Sequence, residues 1–182
     1  MTAGQRSEAS MRICLRISGS KSFRNAKRIA FYLPLADEVD CLPLLEHAMD
    51  LEKQVFLPQL PGRYPRTMDF ARLDEDTLLE NGPMGTTQPC RRDAQVIRPR
   101  EIDLVITPLV AFDMSGYRIG MGAGYYDRAF AFLRLRQHWI RPRLVGVAFD
   151  CQLVPGIAAD PWDVPLWNIV TETTSYPATR IF

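Results

Sequence analysis

The chain has 182 residues, a formal net charge of +1, and 47% hydrophobic against 24% charged residues. That is the size and balance of one globular domain able to enclose a sizeable core. The near-neutral charge gives no electrostatic footprint for nucleic acid or an acidic membrane. No apolar run approaches the roughly 18 residues that span a bilayer, and the N-terminus lacks the apolar core and cleavage site of a secretory signal. Cytoplasmic residence is expected, with no nucleic-acid or membrane partner. Arginine greatly outnumbers lysine, the only lysines being Lys21, Lys27 and Lys53, which reads as compositional bias. Cys14, Cys41, Cys90 and Cys151 are widely spaced with no C-x-x-C pair, and read as small hydrophobes. With only His47 and His138 beside them, a zinc site is not expected.

Residues 1–27 are polar and basic with weak apolar periodicity, which predicts a helix with a ragged start. Arg28–Leu33 is a short β-favouring run that Pro34 stops, the pattern of a buried strand. After the acidic loop 37–40, Leu44, Leu45, Ala48 and Leu51 fall at helical spacing, and Pro43 suits a first-turn position. Gln54–Leu57, stopped by Pro58, and Met68–Leu73 read as two further strands. Residues 81–100 are rich in proline and glycine and predict a loop. Asp103–Thr107 is a strong buried strand ended by Pro108. Gly116–Gly124 is a glycine-rich loop, followed by an amphipathic helix over Tyr125–Gln137. Arg143–Phe149 and Trp167–Thr171 complete the strands. Near-continuous apolar strands separated by helices predict an α/β domain with a mainly parallel sheet. No repeat or internal linker divides it, so residues 1–182 form one domain.

The most informative stretch is Arg118-Ile119-Gly120-Met121-Gly122-Ala123-Gly124-Tyr125-Tyr126-Asp127. Its glycines permit backbone angles and close approaches that a side chain would block, and a following helix would aim unpaired N–H groups at the loop. Such a loop suits triphosphate oxygens, with Arg118 adding a charge-assisted bond and Asp127 a hard oxygen ligand for Mg²⁺. A purely structural strand-to-helix turn has the same pattern. It is not a Walker loop, since no Gly-Lys-Ser/Thr follows. Tyr125 occupies the slot of a third glycine, so it is not the dinucleotide fingerprint either.

Asp103–Arg128 (DLVITPLVAFDMSGYRIGMGAGYYDR) resembles the signature region of the 5-formyltetrahydrofolate cyclo-ligases, also called 5,10-methenyltetrahydrofolate synthetases. The segments RIAFYLPLADEVD, QVFLP, NGPMGTTQP and ADPWDVPLWNIVTE match in family order, covering about Arg28 to Glu172 and leaving 1–27 poorly matched. The resemblance implies a three-layer α/β/α sandwich with a mixed, mainly parallel sheet. It implies an ATP loop on Arg118, Ile119, Gly120, Met121, Gly122, Ala123, Gly124, Tyr125 and Tyr126, and Mg²⁺ ligands at Asp127 and Asp163. Folate contacts are implied at Glu38, in the local sequence Glu38-Val39-Asp40-Cys41, and at Tyr125 and Tyr126. The implied reaction is ATP-dependent cyclisation of 5-formyltetrahydrofolate to 5,10-methenyltetrahydrofolate, through an iminium phosphate, with release of ADP and phosphate. No residue is assigned as nucleophile or base, because alignment and charge neutralisation suffice for such chemistry. A monomer is expected.

Each residue also has a plainer reading. Glu38 has the setting of a solvated loop acid, Asp163 of a turn or cap, Asp113 of a turn former, and Met68 and Phe70 of core packing. Tyr125 and Tyr126 can simply pack the helix start. The family's N-terminal basic pattern has a counterpart in spacing at Arg12 and Arg16, but too close to Arg28; Arg6 fits no better. Further departures are Cys41 for threonine, Ala123 for glycine, Gln88 for an acidic residue, and Trp167 for aspartate. Ala123 is acceptable if its φ is negative. The alternative function is a non-catalytic folate- or nucleotide-binding relative. More distant is a sugar-phosphate isomerase or acyl-transferase on the same scaffold.

Overall fold

The computed structural model describes residues 1–60, 68–91, 94–136 and 141–177. Gln137, the end of the fourth predicted helix, and His138 lie outside them. Helix α1 (Ala3–Ser18) does not start raggedly. Thr2 Oγ1 accepts from Gln5 N at 3.2 Å and Gln5 Oε1 accepts from Thr2 N at 2.8 Å, a reciprocal cap worth about 1 kcal/mol. The helix buries Ala9, Ile13, Cys14 and Ile17, one stripe at helical spacing. A short α2 (Lys21–Asn25), capped by Ser20, leads into β1 (Arg28–Ala30). Helix α3 (Leu42–Asp50) has proline in its first turn, where no amide hydrogen is needed.

Strand β2 (Gln54–Gln59) runs through Pro58 rather than stopping at it. Its pairing with β1 ends at Phe56, so Pro58 sits where only β3 (Asp69–Leu73) is a partner. The predicted loop 81–100 is not structureless. It contains much of a hairpin of β4 (Leu79–Asn81) and β5 (Thr87–Pro89), then β6 (Val96–Ile97). These pieces, of three residues or fewer, are too short for a period-2 pattern to register. Next come β7 (Leu104–Thr107) and a small hairpin of β8 (Ala111–Phe112) with β9 (Arg118–Ile119). Helix α4 (Tyr125–Phe130) tightens into a 3-10 turn over Ala131–Leu135, so the amphipathic segment is helical but not one α-helix. Strands β10 (Arg143–Val147), β11 (Asn168–Val170) and β12 (Ser175–Pro177) end the described chain.

Eight strands form one mixed sheet in the order β12-β11-β10-β7-β1-β2-β3-β6. The five from β11 to β2 are parallel, and β12, β3 and β6 add antiparallel edges. Alternation along the strands sorts two cores. Ile29, Val55, Leu57, Leu104, Ile106, Val145 and Val147 pack under α1 and α3. Ala30, Phe56, Val105, Leu144 and Ile169 face the opposite way, against Ala129, Phe130 and Leu133. The three-layer α/β/α arrangement follows from that sorting. Among the described residues no helix is long and apolar enough to cross a membrane.

Candidate active site

A cleft of about 700 Å³ opens where β1, β2 and β7 end, the carboxyl edge at which open α/β sheets gather ligand-binding loops. After β1 the chain supplies Tyr32 and Glu38, after β2 Leu60, and after β7 Pro108, Leu109 and Val110. The whole stretch Arg118, Ile119, Gly120, Met121, Gly122, Ala123, Gly124, Tyr125, Tyr126 and Asp127 forms one wall, and Asp163 reaches it from the loop before β11. Every site residue expected from sequence therefore lines one cavity.

The glycines of the loop are not equivalent. Gly122 and Gly124 have φ of +83° and +60°, a region that penalises side chains. Gly124 is also the residue that turns the chain into α4. A Cβ on Gly120 would meet nothing within 4 Å and needs no positive φ, so only a ligand would feel it. Ala123 is not among the positive-φ residues, which is why alanine stands there without strain. With α4 only six residues long, backbone N–H groups of the loop, not a long helix dipole, would bind an anion.

Arg118 does not stand free. Its Nη2 donates to Asp127 Oδ1 at 3.0 Å and its Nη1 to the Val164 carbonyl at 2.8 Å. The same Asp127 Oδ1 accepts from Val164 N at 3.1 Å. The guanidinium side chain is only 6% exposed and lies 5.9 Å from the centre of the Tyr126 ring. This ties the glycine loop to the segment bearing Asp163, whose own Oδ2 accepts from Asp160 N at 2.9 Å. Asp163 is thus the turn residue its plainer reading described, and it lines the cleft as well. Each aspartate keeps one oxygen outside these bonds. Among the described residues no three His, Cys, Asp or Glu side chains cluster as a metal site. Two uncommitted carboxylate oxygens suit a Mg²⁺ that arrives with phosphate and water more than a resident metal.

Elsewhere in the lining, Glu38 Oε2 accepts from Leu35 N at 2.9 Å. Burial raises its pKa, and that amide bond partly opposes the shift. Tyr32 donates to the Val39 carbonyl at 2.6 Å, holding the acidic loop closed, and Cys41 Sγ donates to the Tyr32 carbonyl at 3.4 Å. Burial keeps the Tyr32 phenol neutral; it does the same for Tyr126, against the opposing pull of Arg118. Tyr126 stacks on Phe130 at 6.3 Å, and Arg128 covers Tyr125 at 5.3 Å, so both tyrosines pack α4 while facing the cavity.

Asp113 is buried, accepting from Ser115 N, Tyr117 N and Ile157 N at 2.9–3.0 Å, a structural turn former. Phe70 is core, while buried Met68 also reaches the cleft. Arg12 pairs with Glu8, and Arg16 binds the carbonyls of Glu172 and Thr173. Neither lines the cavity. Arg6 sits 3.7 Å from Asp37, beside the acidic loop. Sequence reading assigned no ligand contact to Tyr32, Met84, Thr86, Thr87, Arg134 or Trp162, all in the lining. All but Arg134 fall inside quoted motifs, but single residues in loops carry no pattern.

The fold and the cleft define a three-layer α/β protein with a cavity at the sheet edge, walled by a glycine loop and an arginine–aspartate pair. The family model of the 5-formyltetrahydrofolate cyclo-ligases matches residues 1–172, including the first 27. The 5-formyltetrahydrofolate cyclo-ligase of Haemophilus influenzae is 33% identical over 172 residues, spanning 93% of this chain and 89% of that one. That of Escherichia coli K12 is 33% identical over 171 residues, or 94% and 92%. The solved 5,10-methenyltetrahydrofolate synthetase of Aquifex aeolicus superposes with a TM-score of 0.81 at 29% identity, covering 99% of this chain and 86% of that one. The chain belongs to the 5-formyltetrahydrofolate cyclo-ligase family.

Proposed function

We propose that the protein converts 5-formyltetrahydrofolate to 5,10-methenyltetrahydrofolate at the expense of ATP. The observation that carries this reading is the cleft of a family member in which Glu38 and the glycine loop wall the same cavity. The formyl oxygen on N5 attacks the γ-phosphorus, forming an O–P bond as the bond to the β-phosphate oxygen breaks and ADP leaves. N10 then attacks the activated carbon of the iminium phosphate and loses its proton. The C–O bond breaks, and phosphate departs with the formyl oxygen.

The chain's work is to align and to neutralise. Backbone N–H groups of residues 118–126 cradle the phosphates, leaving the space above Gly120 for oxygen atoms. Asp127 and Asp163 hold Mg²⁺, which offsets phosphate charge when bound. Arg118 fixes Asp127 and sets a positive charge beside the cradle. Glu38, Tyr125 and Tyr126 hold the reduced folate, and burial keeps the Tyr126 phenol protonated as a hydrogen-bond donor.

The test is the absorbance of methenyltetrahydrofolate formed from 5-formyltetrahydrofolate with and without ATP and Mg²⁺. Turnover only with both is the expected result. The second reading, a non-catalytic relative, is favoured by Arg12 and Arg16 lying outside the cleft. Tight ligand binding without turnover would select it.

A further inference from the structure

The β4–β5 hairpin forms a flap whose tip brings Met84, Thr86 and Thr87 into the cleft. Met84 holds φ of +60° and Gly85 +75°. A non-glycine residue stays in that region only where its surroundings over-determine it. The surroundings here are a clasp between the flap and the end of β2. Gln88, 5% exposed, uses both ends of its carboxamide: Oε1 accepts from Leu60 N at 3.0 Å and Nε2 donates to Glu80 Oε1 at 3.1 Å. Glu80 and Gln88 are direct cross-strand partners. Gln59 Nε2 donates to the Pro89 carbonyl at 3.2 Å, and Arg91 Nη2 to the Leu60 carbonyl at 2.6 Å. A Cβ on Gly82 would come within 2.7 Å of Thr86 Oγ1 and 3.0 Å of Gln88 Oε1, so the tip is packed tightly onto the clasp.

We propose that Gln88 is a positioning residue for the reduced folate: by joining Leu60 to Glu80 it holds the flap, and with it Met84, Thr86 and Thr87, against the folate side of the cleft. The proposal rests on the reading that this cleft binds 5-formyltetrahydrofolate beside Glu38. Gln88 touches no reacting atom. A donor and an acceptor are both needed, because its two partners are an N–H and a carboxylate. A glutamate there keeps the acceptor for Leu60 but sets two carboxylates face to face.

Steady-state kinetics of Gln88→Ala, Gln88→Glu and the exchanged pair Gln88→Glu/Glu80→Gln test this. Gln88→Ala and Gln88→Glu raise KM for 5-formyltetrahydrofolate about tenfold, or about 1.4 kcal/mol. They leave kcat and the KM for ATP within about twofold. The exchanged pair restores the folate KM, because the carboxamide moved to the β4 side of the pair donates to the new carboxylate on β5; a general loss of stability would not be repaired this way. An unchanged folate KM in Gln88→Ala, or an exchanged pair no better than Gln88→Glu alone, overturns the proposal. Absence of turnover in the unmutated protein would instead defeat the functional reading. Amide hydrogen exchange at Leu60 and Gly82 then decides the clasp: faster exchange in Gln88→Ala, reversed in the exchanged pair, upholds it, and unaltered protection overturns it.

Discussion

Two side chains of the cleft lining, Glu38 and Arg118, have effects that separate cleanly. Glu38 is a half-buried acid whose pKa is raised by desolvation. A raised acid binds more protons folded than unfolded, so stability falls as pH rises through the folded value. Glu38→Gln should therefore unfold at higher temperature than the unmutated protein at pH 7, with the gain vanishing below the ordinary carboxylate range. The same variant should lose affinity for 5-formyltetrahydrofolate and keep nucleotide binding, both readable by calorimetry. Equal folate affinity would remove Glu38 from the site. Arg118 differs because its charge is committed to Asp127 and the Val164 carbonyl. Arg118→Ala should lower kcat/KM for ATP by about 10–100-fold, because Asp127 loses the charged hydrogen bond, worth about 1.5–3 kcal/mol, that positions it. It should also lower the melting temperature, since Asp127 loses a buried partner, while folate binding persists. Unchanged ATP dependence with an intact fold would reject the assignment.

At the scale of elements, the glycine loop makes a paired prediction. Gly124→Ala forces a side chain into φ of +60° with Cβ 3.0 Å from an Arg128 nitrogen, and should cost about 1–2 kcal/mol in denaturant unfolding. Gly120→Ala meets nothing, and should keep its stability within about 0.5 kcal/mol while weakening ATP binding at least about tenfold. A stable Gly120→Ala that binds ATP normally would mean the phosphates do not pass over that residue. The central strands were legible because Ile29–Phe31, Val55–Leu57, Leu104–Ile106 and Leu144–Val147 are near-continuous apolar runs buried on both faces. Residues 118–127 of the candidate site were legible because they form one glycine-rich loop, whereas Glu38 and Asp163, far from it in sequence, followed only from the family resemblance. The flap was not, since β4 and β5 are three residues each and are held by side-chain bonds from Gln88, Gln59 and Arg91 across 28–31 positions. The tight cap of α1 needed only Thr2 and Gln5, a spacing visible in sequence but easily lost in a polar segment. The long fourth helix failed because an apolar stripe does not distinguish an α-helix from an α-helix that tightens into 3-10.

For the whole molecule, the parallel centre of the sheet brings loops from distant parts of the chain to one edge, where Asp127 accepts from the amide of Val164, the chain neighbour of Asp163. Asp127→Asn and Asp163→Asn should each raise the Mg²⁺ concentration needed for turnover, with metal-free folate binding nearly unchanged. If thermal stability falls instead and the Mg²⁺ requirement does not move, the aspartates are structural. If the sheet edge aligns the formyl oxygen with the γ-phosphorus, an oxygen label follows that bond directly. With 5-formyltetrahydrofolate carrying ¹⁸O in the formyl group, one labelled oxygen should appear in inorganic phosphate for each methenyltetrahydrofolate formed. Cyclisation that leaves the released phosphate unlabelled, or that proceeds without ATP, would contradict the account.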